Sequence, residues 1–289
     1  MNHSSDAIAA LAEKISFQKF SASANDFIVI DNRSNQLGSA GGELARRICA
    51  RRYSVGGDGL ILIETSHRAD FRVRFFNPDG KEFSTCGNGG RCAARFARLN
   101  NIAGLKHTIE TNIGVIDAEV VDPNVKLRFL PPQSIQLNVS LKSEGKEYRG
   151  HFVRLGDPHY VVYSSEIEEM PFVEVARRIR FHEVFGGDGA NVHFIELRSR
   201  QEARIRSFER GVENETFACG SGCISAAVST YTAGDTDPPI RFLPHSRIPV
   251  IVHFQPGAKF QDLYLEGDAR FVYSGELKKE AVLGFPQNI

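Results

Sequence analysis

One segment of this chain is written twice. Residues 44–48 read LARRI and residues 175–179 read VARRI, and each is followed by GGDG, at 56–59 and at 186–189. RVRFFN at 72–77 returns as RIRSFE at 204–209, an offset of 132. Glu64, which closes LILIE, and Glu196, which closes VHFIE, also stand 132 apart. Glu82 and Glu215 differ by 133, as do Cys86 in TCGNG and Cys219 in ACGSG, so one residue is inserted between Glu209 and Cys219. Five ordered matches at nearly one offset mean an internal duplication, and the period is too long for a stacked solenoid. The chain is expected to be one lobe built twice.

The first lobe is read as residues 15–131, with Cys86, and the second as residues 132–273, with Cys219. Pro131-Pro132 is a stiff link between them. Residues 1–14 precede the first repeat and are read as a frayed or helical extension. Residues 274–289 are the candidate to return to the first lobe. Within the first lobe, Phe27–Asp31, Leu60–Glu64 and Phe71–Asn77 have the apolar, β-branched character of strands, and Glu43–Arg52 reads as a helix. The segments after Cys86 and Cys219 read as helices that carry Gly, Ala and Ser where a solvent-facing helix would carry Glu and Lys. Such helices pack closely, within a curled sheet. The stretches 107–130 and 240–273 are strand-rich. The class is α+β, with two similar lobes.

Lys plus Arg total 35 and Asp plus Glu total 35, so there is no basic surplus to point to nucleic acid or an anionic membrane. No apolar run is long enough to span a bilayer, and MNHSSDAIAALAEK is not a secretory signal. Five cysteines, an odd number, argue against a disulfide framework and for a reducing compartment, the cytoplasm.

Two of those cysteines stand apart. Each repeat turns after a strand and presents Cys-Gly-x-Gly at a helix start, where free N–H groups and the positive dipole end suit a carboxylate or phosphate. The same dipole is expected to lower a thiol there below its usual value of about 8.5. One such site could be a nucleophile, a redox thiol or a metal ligand. Two, on lobes facing each other across a cleft, suit inversion of a carbon centre without a cofactor. A thiolate removes the α-proton from one face and a thiol delivers a proton to the other. A zinc site is disfavoured, because Cys86–Cys92 and Cys219–Cys223 lack the usual spacing and histidine partners. Cys49, Cys92 and Cys223 read as packing residues.

At these residues the sequence resembles the diaminopimelate epimerase family of PLP-independent amino-acid racemases and epimerases. The resemblance rests on KFSASANDFIVID, VGGDGLILIE, FNPDGKEFSTCGNGGRC, GDPHYVV, GANVHFIE and FERGVENETFACGSG, in that order. It implies two pseudo-symmetric lobes, each a barrel-like sheet around a central helix. It implies a cofactor-independent, metal-free isomerase converting LL-2,6-diaminopimelate to the meso form in lysine and peptidoglycan-precursor synthesis. Cys86 and Cys219 would be the acid/base thiols, with His159 and Glu209 helping to set their protonation. Gly87, Asn88, Gly220 and Ser221 would bind the carboxylate at the inverting centre. Asn25, Asn77, Asn191 and Arg210 would hold the distal end, and Glu209 the ammonium.

Two departures bear on that carry-over. Ala22 and Ala24 stand where the family usually has glycine, and an alanine is strained wherever φ must be positive. Asp157 stands where an amide or small residue is usual. Its carboxylate repels a distal carboxylate unless it is protonated, turned away or paired with Arg210, so the substrate's distal group stays open at this stage. The alternatives are a racemase of another amino acid on the same scaffold, or a non-catalytic amino-acid-binding or redox-sensing protein. The expected partner is a small amino-acid substrate, with no nucleic acid and no membrane, and an apolar lobe face could support a homodimer.

Overall fold

The computed structural model of the chain describes residues 15–84, 86–257 and 259–283. The extension 1–14, read from sequence as frayed or helical, lies outside the described residues, as does the tail beyond Leu283. The described chain falls into two compact units. One takes in the residues up to Leu127 and those from Asp268 onward, and the other runs from Arg128 to Gly267.

In the first unit, β1 (Ser16–Ala22), β2 (Asn25–Asp31), β3 (Gly59–Glu64), β4 (Phe71–Phe76), β6 (Lys106–Thr111), β7 (Gly114–Val121) and β8 (Asn124–Arg128) form a mixed sheet with β18 (Arg270–Glu276). The order is β18-β1-β2-β3-β4-β6-β7-β8, with β2–β3 and β4–β6 parallel and the other neighbours antiparallel. A short strand, β5 (Glu82–Phe83), folds back on β4 just before Cys86. The chain returns to this unit because Arg270–Glu276 lies along β1, with Ser16 opposite Glu276.

The second unit repeats the plan. Its strands are β9 (Ser134–Ser143), β10 (Lys146–Leu155), β11 (Asp157–Tyr163), β12 (Asn191–Ser199), β13 (Glu202–Glu209), β15 (Ile240–Leu243), β16 (Val250–His253) and β17 (Tyr264–Asp268). The order is β9-β10-β11-β12-β13-β15-β16-β17, with β11–β12 and β13–β15 parallel. Again a short strand, β14 (Asn214–Thr216), folds back on β13 just before the cysteine. The two units therefore share strand order and strand direction, which is the duplication seen in three dimensions. One difference is in the connection. The strand that opens the second sheet comes first in its unit, whereas its counterpart in the first sheet comes last in the chain.

Among the described residues each unit has one helix outside its sheet and one within it. The outer helices, α1 (Gly41–Ile48) and α3 (Phe172–Arg180), are amphipathic, with Glu in the first turn and Arg in the last, matching the helix dipole. Leu44, Ala45 and Ile48 of α1 cover Ile28, Ile30, Leu60 and Leu62, while Phe172, Ala176 and Ile179 of α3 cover Tyr160, Val162, Val192 and Phe194. The sequence pattern extends the first of these helices to Arg52, but it ends at Ile48. There the amides of Gly56 and Gly57 take the carbonyls of Ile48 and Cys49, and Arg52 has a φ of +72°.

The inner helices are α2 (Gly87–Leu99) and α4 (Gly220–Thr232). Helix α2 packs against β1, β2, β3, β4 and β7, and α4 against β9, β10, β11, β12 and β16. A helix touched by strands from both ends of a sheet order has that sheet curled around it. Residues Gly222 to Thr230 of α4 are buried without a break, all small or apolar. A helix enclosed on every side has no polar face to offer water, which is why Gly, Ala and Ser replace Glu and Lys here. Ser229 and Thr230 satisfy their hydroxyls on carbonyls one turn back, at 2.7 and 2.8 Å. The fold is thus α+β, in two lobes of curled sheet around a central helix.

The β1–β2 turn shows what the alanine departures do. Ala22 pairs with Asn25 across a two-residue turn whose central residues, Ser23 and Ala24, have φ of +51° and +67°. Hairpins of this type favour Asn-Gly. Ala22 itself ends β1, so of the two alanines Ala24 alone carries left-handed strain, about 1 kcal/mol.

Candidate active site

In the first unit, Cys86 is the N-cap of α2, with extended backbone, and its Sγ accepts the amide of Gly89 at 3.2 Å. The amide of Gly90 takes the Cys86 carbonyl at 2.7 Å. The first four amides of a helix have no acceptor within it, and those of Gly87 and Asn88 are the first two of this helix. Asn88 is linked to Asn25, whose Oδ1 accepts a hydrogen bond from Asn88 Nδ2 at 3.4 Å. Asn25 is in turn fixed by Asp58, which accepts its Nδ2 at 2.7 Å and the backbone amide of Asp26 at 3.1 Å. Cys86, Gly87, Asn88 and Asn25 therefore form one group. Asn77 does not join it by a side-chain hydrogen bond among the described residues. It is exposed, in the turn where its backbone amide donates to Lys81.

The group has a buried support that sequence reasoning missed. Arg91 is fully enclosed and donates to Asn88 Oδ1 and Ser23 Oγ, each at 2.9 Å, and to the Asp268 carbonyl at 3.1 Å. An arginine in a helix reads as solvent-facing, so nothing in the pattern marked it. Asp58 lies in GGDG, a motif the repeat did expose.

In the second unit, Cys219 is the N-cap of α4, again with extended backbone, but its side chain makes no capping hydrogen bond. It is buried, with the Ser221 hydroxyl 3.5 Å from its Sγ. The inner face of three neighbouring strands brings five polar side chains toward this helix end. His159 comes from β11, Asn191 and His193 from β12, and Ser207 and Glu209 from β13, each at alternate positions along its strand. Asn191 ties two loops together, its Oδ1 accepting the Arg210 amide at 2.8 Å and its Nδ2 donating to the Pro158 carbonyl at 3.2 Å. The Arg210 guanidinium pairs with Asp157, half of whose side chain is exposed. Of the three outcomes open for Asp157, pairing with Arg210 is the one realised.

The electrostatics of Cys219 run opposite to the dipole argument. Burial pushes the thiol well above its ordinary range, and the negative charge of Glu209 pushes it further. The Ser221 hydroxyl and the Gly222 amide pull the other way without prevailing. Taking a thiolate out of water costs more than a few donors return. The Cys219 sulfur is therefore a thiol near neutral pH, not a thiolate. Glu209 is itself raised by burial, although Thr216 and Cys219 donate to its carboxylate.

Behind this group, His159 and His193 are both fully buried and stacked, with Nδ1 of His159 2.9 Å from Nε2 of His193. Nδ1 of His193 lies 2.9 Å from the Ser207 hydroxyl. Cys49, Cys92 and Cys223 are buried, and burial pushes the Cys49 thiol up to about 12.

The family model described as "Diaminopimelate epimerase" matches residues 17–130 and 151–272, which takes in both lobes. The chain belongs to the diaminopimelate epimerase family. A diaminopimelate epimerase of Hydrogenobaculum sp. (strain Y04AAS1) is 41% identical over 228 residues, covering 75% of this chain and 82% of that protein. One from Aquifex aeolicus (strain VF5) is 37% identical over 278 residues, covering 92% and 99%. A probable proline racemase from Agrobacterium radiobacter K84 has the same fold, with a TM-score of 0.67 at 13% identity, over 91% of this chain and 93% of that one.

Within this diaminopimelate epimerase fold, the buried histidines give stability a pH dependence. Burial pushes His159 down to about 4, the charge of Arg210 adds to that, and Asp157 opposes it. His193 is lowered as well, by burial and by His159. An unfolded histidine titrates near 6.5, so between about pH 6.5 and 4 the unfolded chain binds a proton that the folded chain does not. Stability should be flat in this respect above about pH 6.5 and fall as the pH drops, by about 3 kcal/mol for His159 alone. Urea midpoints at about pH 7 and 4.5 check this. His159→Gln should flatten the loss, and an equal loss in the variant would assign it to other groups.

Proposed function

We propose that this protein is a diaminopimelate epimerase, interconverting LL- and meso-2,6-diaminopimelate with two thiols and no cofactor. The observation that carries the reading is that the family match spans both lobes and includes, in each, a cysteine capping the N-terminus of an enclosed helix. This is the step in lysine and peptidoglycan-precursor synthesis. Five unpaired cysteines suit a reducing compartment, so we place the enzyme in the cytoplasm.

The chemistry follows from the protonation of Cys219. In one direction a Cys86 thiolate takes the α-proton, breaking the C–H bond and leaving a carbanion. The Cys219 thiol then gives its proton to the opposite face, and the product leaves with Cys219 as thiolate. The enzyme is now in the form that acts on the other epimer, or it returns by proton exchange with solvent. The negative charge that builds on the substrate carboxylate is met by amide groups at the helix starts, from Gly87 and Asn88 in one lobe and Gly220 and Ser221 in the other. Glu209 balances the α-ammonium, and its raised affinity for a proton lets it share the Cys219 proton when that thiol is the base. His159 supports the same end of the site.

Asn25, Asn77, Asn191 and Arg210 are assigned to the distal end. Asp157 already engages Arg210, so a distal carboxylate must compete for the guanidinium. Exposed pairs are worth up to about 1 kcal/mol, so this competition weakens binding modestly without forbidding it. We also propose a homodimer. Phe271 and Tyr273 on one face of β18 and Val272 on the other are each about half exposed, bulky apolar side chains.

Three results are expected. Cys86→Ala and Cys219→Ala each abolish epimerisation, measured by chirally resolved chromatography of the products in deuterium oxide. Full inversion by either variant would sink the two-thiol mechanism. Asp157→Asn lowers the KM for diaminopimelate by up to about fivefold with kcat little changed; a higher KM would show that Asp157 helps hold the substrate. Sedimentation equilibrium gives a dimer for the native chain and a monomer for Val272→Asp, and a native monomer would remove the proposal.

A further inference from the structure

Beyond the residues the family pattern marks, one row of side chains in the second lobe is built around His159. Ser207 stands directly opposite His193 across the β12–β13 pair, and His193 lies on the same face as His159 of the adjoining strand. Hydroxyl and rings make a chain of two contacts, each 2.9 Å: Ser207 Oγ to His193 Nδ1, then His193 Nε2 to His159 Nδ1. All three residues are buried. Beyond the chain, Nε2 of His159 is enclosed and has no hydrogen-bond partner among the described residues. A buried nitrogen left unpaired is costly, and the cost is recovered when a ligand's polar atom meets it.

The helix that carries Cys219 keeps this row in place. A Cβ on Gly222 would lie 2.3 Å from Cε1 of His193 and 2.6 Å from its Nδ1, so only glycine lets the first turn of α4 sit against the ring. The same Gly222 lies in the first turn of the helix that Cys219 caps. His193 is thus wedged between the helix turn that caps the thiol and the ring of His159.

A neutral imidazole has one N–H and one bare nitrogen, and the two exchange roles between tautomers. Between His159 Nδ1 and His193 Nε2 there is room for one proton. If His159 supplies it, its own Nε2 is a bare acceptor, and His193 must donate from Nδ1 to Ser207. If His193 supplies it, Ser207 must donate to His193, and Nε2 of His159 carries a hydrogen. The state of this enclosed nitrogen is therefore coupled to whether Ser207 donates or accepts at the far end of the row.

We propose that His193 and Ser207 are positioning residues of the epimerase site, a relay that locks His159 in one tautomer and one ring orientation with Nε2 toward the substrate. The proposal rests on the epimerase reading for its kinetic effect, though not for its tautomer. The test uses the full-length protein with 15N-labelled histidine, whose ring-nitrogen shifts report which nitrogen is protonated. In the native protein His159 shows a single tautomer. Ser207→Ala removes the anchor and should give averaged or altered shifts at both histidines, with kcat down roughly tenfold and KM within about twofold, the lower range for loss of a histidine's orienting partner. His193→Gln, whose amide can still meet Nδ1, should keep more activity than His193→Leu. Unchanged His159 shifts and native kcat in Ser207→Ala would overturn the proposal, even if His193→Leu fails to fold. A native protein without epimerase activity would defeat the proposed function, while the shifts would still decide the relay.

Discussion

The enclosed helix start is the constraint on which the rest depends. A helix wrapped by its own sheet leaves little space for large side chains and little water for its first amides. The first requirement explains the run of small and apolar residues from Gly222 to Thr230. The second explains the cap, since an amide left alone in the interior costs more than a hydrogen bond returns. In the first lobe a cysteine sulfur meets part of that need, accepting the amide of Gly89. One architectural choice, made twice, therefore supplies both a thiol and the oxyanion-binding amides proposed for the reaction.

That choice has a cost in acidity. The dipole and the amides stabilise thiolate, while enclosure destabilises it, and at Cys219 enclosure prevails with help from Glu209. An acid/base residue for a weakly acidic α-carbon benefits from this balance. A thiol too easily ionised would be a poor base, and a fully exposed one would lose its proton transfers to water. The histidines behind it follow the same rule in reverse, since burial keeps both neutral.

Much of the fold was legible because a duplication is a long-range signal. Matching offsets at RVRFFN and RIRSFE, and at the two Cys-Gly-x-Gly turns, implied one sheet plan used twice before any strand was placed. The amino-acid types after each cysteine announced helices without a wet face. What could not be read were contacts across strands. Ser207 and His193 look like ordinary alternating strand residues, and only the register that sets them opposite each other makes a chain of them. Arg91 looked like a surface residue because enclosure is invisible to local pattern. The expected lowering of the Cys219 pKa was reversed for the same reason, as burial and a carboxylate ten positions away outweigh the local dipole. Ala24 was flagged by comparison with the family's glycine, and the positive φ gives that substitution its physical meaning.

The connection of β18 carries a consequence for synthesis on the ribosome. The second lobe is contiguous, so every strand it needs has emerged once its own segment is complete. The first lobe emerges earlier but lacks the strand that lies along β1 until Arg270–Glu276 has been made. Throughout that interval β1 presents an unpaired edge, the kind of surface on which nascent chains join one another. The half of the molecule translated first is thus the half that must wait to close, and chaperone demand should track the time needed to translate the whole second lobe.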